Sequence, residues 1–300
     1  MSDRRPEPRV VVFGRSTEYA QLLARHGTRG QAAFFLQTRG QRIELIEQQH
    51  EQLLAVRAVA LAAIPAKWRR VELTRDELDR FLFEPDDIVV TIGQDGLVAN
   101  VAKYLTDGQP VIGINPDPTV VEGALARHAV SATADLLADV AAGRASFEAR
   151  TMVEARLDDD QRLLALNEIF VGHSSHQSAR YELRLGDRAE RHSSSGLIVA
   201  TGTGQTGWAR SLRLERSSAI PVPAPTDRVL TLFVREAWPS PGTGASLTEG
   251  LVERSPVEVV SRMEEGGVIF GDGVERDRLD LPWGGRATLG VASEQLHLVA

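Results

Sequence analysis

The sequence predicts a two-part chain, α/β over residues 1–143 and β-rich over residues 144–300. Three observations lead there. Apolar strand-like runs alternate with helical periodicity up to Gly143. Beyond it, short apolar runs follow one another with few helical stretches between them. In the first half, a glycine turn, Gly93-Gln94-Asp95-Gly96-Leu97, joins an apolar run to a helical one. Alternating strands and helices imply a mostly parallel sheet covered on both faces, and a series of strands implies antiparallel pairing.

The elements follow in order. Arg9 to Phe13 reads as a strand ending at Gly14. Residues from about 40 to 64 carry Ile43, Leu45, Ile46, Leu53, Leu54, Val56 and Val59 at helical spacing, and Pro65 closes that helix. Val71 to Leu73 is a short strand, and Thr74 caps a helix expected to begin at Arg75. Ile88 to Ile92 is apolar on both faces; after Gly96 the residues Leu97, Val98, Val101 and Leu105 fall on a helical face. Asp-Gly also favours a hairpin turn, but this flanking pattern predicts strand, loop and helix. Pro110 to Ile114 is a further strand, Asn115 to Pro118 a turn, and Ala132 to Ala142 a helix. The first half is therefore expected to be a Rossmann-like α/β domain.

In the second half, strands are expected at 149–157, 163–171, 180–185, 197–200, 229–234, 256–260, 268–270, 287–291 and 296–299. Ile220 to Pro225 is expected as a proline-rich surface loop. This half reads as β-sandwich-like.

Composition narrows the function classes. The chain has 300 residues, a formal net charge of −7 and no cysteine. The charge argues against nucleic acid as partner. Absence of cysteine rules out thiol catalysis and Cys-ligated zinc, and fits a cytoplasmic setting. No run approaches the ~20 apolar residues of a membrane span, and Met1 to Pro8 lacks an apolar signal core, so no membrane partner is expected.

Three segments carry chemistry. In Gly93–Leu97 the turn amides and the helix N-terminus suit a phosphate, with Asp95 beside it. Thr201 to Gly207 follows an apolar strand and contains a literal G-x-G-x-x-G at Gly202, Gly204 and Gly207. Its surroundings are β-rich and prolines intervene before Asp227, so it is not read as a Rossmann fingerprint; its hydroxyls and amides still suit a nucleotide. Asn167-Glu168 interrupts an apolar strand, where polar groups need a ligand or a loop as partner. His173 to His176 and Arg191 to Ser195 read as solvated loops, without a nucleophile elbow; Trp208 and Trp238 read as packing residues.

Taken in order, Gly93–Leu97, Asn167-Glu168, Thr201–Trp208 and Gly271-Asp272-Gly273 resemble the NAD kinase family. The likeness is greatest to the mitochondrial-type branch and its bacterial relatives, through Val111 to Pro118, Glu122-Gly123, Ser194 to Leu197 and Thr201 to Gly204. It covers about residues 85 to 275 and, less clearly, the opening strand with Ser16 to Tyr19. The resemblance implies transfer of the ATP γ-phosphoryl group to the 2′-hydroxyl of the NAD(H) adenosine ribose, with Mg²⁺. Asp95 then matches the aspartate that deprotonates the hydroxyl, and Gly93 and Gly96 match glycines beside phosphates. Asn167, Glu168, Arg180, Thr203, Thr206, Gly207, Trp208 and Ser211 match dinucleotide contacts. A homodimer or homotetramer is implied as well, with small-molecule nucleotides as ligands.

The chain departs from the family pattern at Gln94, in place of a second glycine, and at Leu97, in place of a threonine. A side chain at position 94 is costly if the backbone there needs positive φ. Ser195 stands where many members carry aspartate. The same parts fit two alternatives: a catalytically degenerate NAD(P)-binding sensor, or a lipid kinase-like enzyme of the same superfamily.

Overall fold

The structure, a computed structural model, describes residues 7–118 and 123–300. The described residues divide into two compact units, one of residues 7–101, 109–118, 123–147 and 298–300, the other of residues 102–108 and 148–297.

The first unit opens with β1 (Arg9–Gly14), α1 (Glu18–His26), α2 (Arg29–Gln37) and α3 (Ile43–Ala62). It continues with β2 (Arg69–Thr74), β3 (Ile88–Ile92), α4 (Asp95–Ala102), β4 (Pro110–Asn115), β5 (His128–Ala129) and α5 (Thr133–Ala141). The strands lie in the order β2-β1-β3-β4-β5, every pair parallel. Every residue of β3 is buried, as expected of a strand covered on both sides. One face packs Val10, Val12, Val90, Ile112 and Ile114 with Ala60 and Leu137 from the helices.

Helices α1 and α2 were not anticipated from sequence. Each is announced by a threonine N-cap: Thr17 Oγ1 accepts from the Ala20 N–H and Thr28 Oγ1 from the Gln31 N–H. They pack Leu22, Ala32 and Leu36 on Ile43 and Ile46 of α3. The helix expected after Thr74 is a short 3-10 helix of two turns, Arg75–Arg80, with only Leu78 buried. Glu77 closes it by accepting from both the N–H and the hydroxyl of Thr74.

The second unit holds β6 (Phe147–Leu157), β7 (Arg162–Ala165), β8 (Glu168–His173), β9 (Ala179–Leu185), β10 (Arg188–Ser194) and β11 (Leu197–Ala200). After α6 (Trp208–Arg216) come β12 (Leu230–Val234), β13 (Glu249–Val252), β14 (Val257–Ser261), β15 (Gly267–Gly271), β16 (Arg278–Asp280) and β17 (Arg286–Val299). One sheet runs β10-β9-β14-β17-β6-β7 and the other β13-β12-β11-β8-β15-β16. Val153, Tyr181, Val259 and Leu289 of the first share a core with Ile169, Val199, Leu232 and Ile269 of the second. This is a β-sandwich built from alternating inward residues.

Several expectations change here. The strand foreseen over 163–171 is two strands, broken at Leu166-Asn167. The two foreseen over 287–299 are one, because Ser293 to Gln295 continue the strand and Glu294 meets Arg162 at 2.8 Å. Arg191 to Ser195 is not a solvated loop: β10 runs to Ser194, His192 and Ser194 are buried, and Ser194 Oγ lies 2.8 Å from the Tyr181 hydroxyl. Trp238 is exposed rather than packed, and Trp208 is stacked on Phe170. No helix among the described residues is long and apolar enough to cross a membrane.

Candidate functional site

In the first unit β3 ends at Ile92, and the Gly93 N–H donates to the Ile114 carbonyl at 3.0 Å. Gly93 has φ +152°, and a Cβ there would collide with Leu97 Cδ1. The helix starts at Asp95, so Gly96 lies inside its first turn, with no atom within 4 Å of the position of a Cβ. Gln94 is exposed and is not among the positive-φ residues, so its side chain imposes no backbone strain. Leu97 is buried and fills the space that Gly93 leaves, which makes it a core residue.

The Asp95 carboxylate accepts three backbone hydrogen bonds from one segment. Oδ1 accepts from the Leu125 and Ala126 N–H groups and Oδ2 from that of Ala124, all at 2.9 Å. That segment approaches closely because Gly123 and Gly113 lack side chains: a Cβ at either would collide with the backbone of Leu125 or Ala126. Oδ2 carries a single bond and retains acceptor capacity. Glu122 lies outside the described residues.

In the second unit three distant segments converge at the start of β8. The Asp272 carboxylate accepts from the N–H groups of Leu166 at 2.9 Å, Asn167 at 2.7 Å and Glu168 at 3.4 Å. The Asp272 N–H donates back to the Glu168 carbonyl at 3.0 Å. Thr201 ties in the third segment: its N–H donates to the Asn167 carbonyl at 2.9 Å and its hydroxyl to the Leu166 carbonyl at 2.6 Å. Thr201 Oγ1 then accepts from the N–H groups of Thr203 and Gly204, coiling the turn that leads to α6. A Cβ at Gly204 would collide with the Asn167 carbonyl, and one at Gly202 with that of Ala224.

Among the described residues, neither the Asn167 amide group nor the Glu168 carboxylate has a protein hydrogen-bond partner, so both can serve a ligand. Burial, and then the negative charge of Asp272, push Glu168 up to about 8. Asp272 is raised to about 6 by burial, opposed by its backbone hydrogen bonds and by the charge of Lys103. Lys103 is almost fully buried, with Nζ 2.5 Å from Asp277 Oδ2, which also accepts from the Tyr104 hydroxyl at 3.2 Å.

The other expected contacts are dispersed. Thr203 is buried and its hydroxyl accepts from Arg150 at 3.3 Å, while Thr206 and Gly207 are exposed. Trp208 opens α6 with its ring 5.6 Å from that of Phe170 and the Arg235 guanidinium 4.9 Å from its centroid. These three, with Ser195, Phe270 and His173, line a cavity of about 350 Å³. Ser211 is exposed on α6. Arg180 stands apart: it lies on β9 in the other sheet, exposed between the buried Ala179 and Tyr181, and so faces away from the sandwich core. Sequence reasoning marked the segments Gly271-Asp272-Gly273, Thr201–Trp208 and Glu122-Gly123 without giving Asp272 or Thr201 a role, and it passed over Lys103 and residues 124–126. The signal for Asp272 was an aspartate between two glycines, a turn composition that tolerates left-handed backbone.

An α/β unit with an aspartate at a glycine turn is thus followed along the chain by a β-sandwich unit with a clamped Asn-Glu pair. No family model matches the chain. It is 33% identical over 133 residues to an NAD kinase of Burkholderia cenocepacia, covering 42% of this chain and 43% of that protein. It is 32% identical over 132 residues to an NAD kinase of Azoarcus sp., covering 42% and 44%. The match thus spans less than half the length of these curated relatives. In fold it is similar to an NAD kinase from Archaeoglobus fulgidus solved with ATP, at TM-score 0.58 and 19% identity over 97% of this chain and 93% of the other. It is also similar to yeast NADH kinase solved with NADH, at TM-score 0.60 and 15% identity over 99% and 84%. The resemblance to the NAD kinase family read from the sequence is supported by both comparisons.

Proposed function

We propose that this protein is an NAD kinase-like phosphotransferase that moves the γ-phosphoryl group of ATP to the 2′-hydroxyl of the NAD(H) adenosine ribose. The observation that carries the reading is the convergence of Asn167-Glu168, Thr201–Gly207 and Asp272, three of the family segments, around two polar side chains that have no protein hydrogen-bond partner among the described residues. Kinship with NAD kinases in sequence and fold supports it.

In this reading Asn167 and Glu168 bind hydroxyl and amino groups of the dinucleotide, with Thr206, Gly207, Trp208 and Ser211 beyond them. Gly96 leaves room for a phosphate at the α4 N-terminus, whose dipole favours negative charge, with Gly93 closing the turn before it. Asp95 is the base. The 2′-oxygen bonds to the γ-phosphorus, the bond from that phosphorus to the β-γ bridging oxygen breaks, ADP leaves, and the hydroxyl proton passes to Asp95 Oδ2. Phosphoryl transfer depends chiefly on positioning and charge stabilisation, so one carboxylate suffices as base. Among the described residues no cluster of three histidines and carboxylates could cage a metal. Mg²⁺ fits this chain as an ion carried on the ATP phosphates, the usual mode for that cation.

A cytoplasmic homodimer or homotetramer completes the reading, and sedimentation of the purified protein tests the assembly. The central experiment incubates the protein with NAD, ATP and Mg²⁺ and follows NADP, with Asp95→Asn as control. Unchanged activity in that variant removes Asp95 as base. A second reading, an NAD(P)-binding sensor, is favoured by the burial of Leu97, which withdraws a phosphate-side hydroxyl. NAD binding without NADP formation would select it.

A further inference from the structure

We infer that Asp272 is a positioning residue, the clamp that sets the Leu166–Glu168 turn so that the Asn167 and Glu168 side chains are presented to a hydroxyl-bearing nucleotide. The inference rests on the proposed function for the identity of the ligand; its structural part stands on the protein alone.

Three observations carry it. Asp272 accepts from three successive backbone N–H groups and donates its own N–H back to the third of those residues, closing a reciprocal pair with Glu168. Its backbone is left-handed, φ +53°, a conformation that costs most side chains energy and that aspartate tolerates. That conformation turns the chain out of β15 directly beside the β7–β8 break. Gly271 admits this approach, because a Cβ there would stand 2.7 Å from that of Ala165. Without the clamp, the amides at the break would have no sheet partner: β7 ends at Ala165 and β8 begins at Glu168. The turn would then choose its own conformation, and the two recognition side chains with it.

The clamp also acts through charge. Asp272 and Glu168 are two carboxylates held together, with the buried Lys103 offsetting Asp272 and Asp277 pairing Lys103 in turn. Burial raises Glu168 most, and the charge of Asp272 adds to that rise.

The test uses Asp272→Asn, whose side chain tolerates the same φ, and Asp272→Gly as a second variant that removes the side chain without backbone strain. Amide hydrogen exchange in the ligand-free protein is expected to accelerate about tenfold or more at Leu166, Asn167 and Glu168 in the glycine variant, and at Leu166 in the asparagine variant, whose Oδ1 still accepts from the other two, and to stay unchanged at Val171 and Val199 in both. The KM for NAD is expected to rise about tenfold with KM for ATP and kcat within about twofold, since the loss falls on ligand presentation. The pH midpoint of NAD affinity is expected to move down, because Glu168 loses a neighbouring negative charge; a purely structural role would leave it in place. Unchanged exchange at the three amides in the glycine variant overturns the clamp. So does a kcat loss at constant KM for NAD. A wild type that forms no NADP, alongside faster exchange confined to those amides, sinks the kinase reading and leaves the clamp supported.

Discussion

Asp95 in the first unit and Asp272 in the second each hold three consecutive backbone N–H groups of another segment, Ala124–Ala126 and Leu166–Glu168. Their surroundings differ. Asp95 opens a helix, and its neighbour Gly96 faces open space. Asp272 sits in a left-handed turn between strands, and Gly202, Gly204 and Gly271 near its cluster have no room for a side chain. The same bonding pattern thus serves two purposes. A carboxylate at an open helix N-terminus can still meet a ligand, whereas one enclosed by turns is committed to holding the protein.

That contrast can be broken by substitution, beginning with the largest effect. Asp95→Asn is expected to lower NADP formation by about 10²–10⁴ in kcat, the range of general-base contributions, while NAD binding measured by calorimetry persists. If binding and turnover fall together, Asp95 is a structural clamp like Asp272 and the contrast dissolves.

Gly204→Ala should cost about 3 kcal/mol or more in urea unfolding, because its methyl would meet the Asn167 backbone, which cannot yield without breaking the Thr201 bonds. A loss below about 0.5 kcal/mol would show the cluster to be looser than its geometry.

Glu168→Gln tests the electrostatics of the enclosed region. Glu168 is raised to about 8, well above its ordinary value, so between those limits the folded state binds more protons than the unfolded. Its contribution to stability is therefore complete at low pH and lost as pH rises through about 8. The glutamine variant should melt several degrees above wild type at pH 9, with the gap closing towards pH 4. A gap that does not depend on pH would refute the assignment.

The smallest effect belongs to the open region. Gly96→Ala should stabilise the chain by about 0.5–1 kcal/mol, since the position is helical and unobstructed. A raised KM for ATP alongside would mark the space as one that a phosphate uses.

The sequence by itself determined the division into an α/β half and a β-rich half, because the periodicity of apolar residues is local and reports which faces are buried. It also determined the strand-turn-helix at Gly93–Leu97 and marked Asn167-Glu168 as an interruption. Helices α1 and α2 stayed unread because each is only nine residues long and buries its apolar side chains against the other and α3. The G-x-G-x-x-G at Gly202 was rightly set aside: a helix does follow it, but β12 runs antiparallel to β11, so no βαβ unit forms. Only the tertiary structure decided the rest. It showed Gln94 to be free of strain, Leu97 to be core, Arg180 to stand apart, and Asp272 to govern a pair about a hundred residues earlier in the chain. A hydrogen bond between residues that far apart leaves no local trace in composition or period, because the fold alone makes the two ends neighbours.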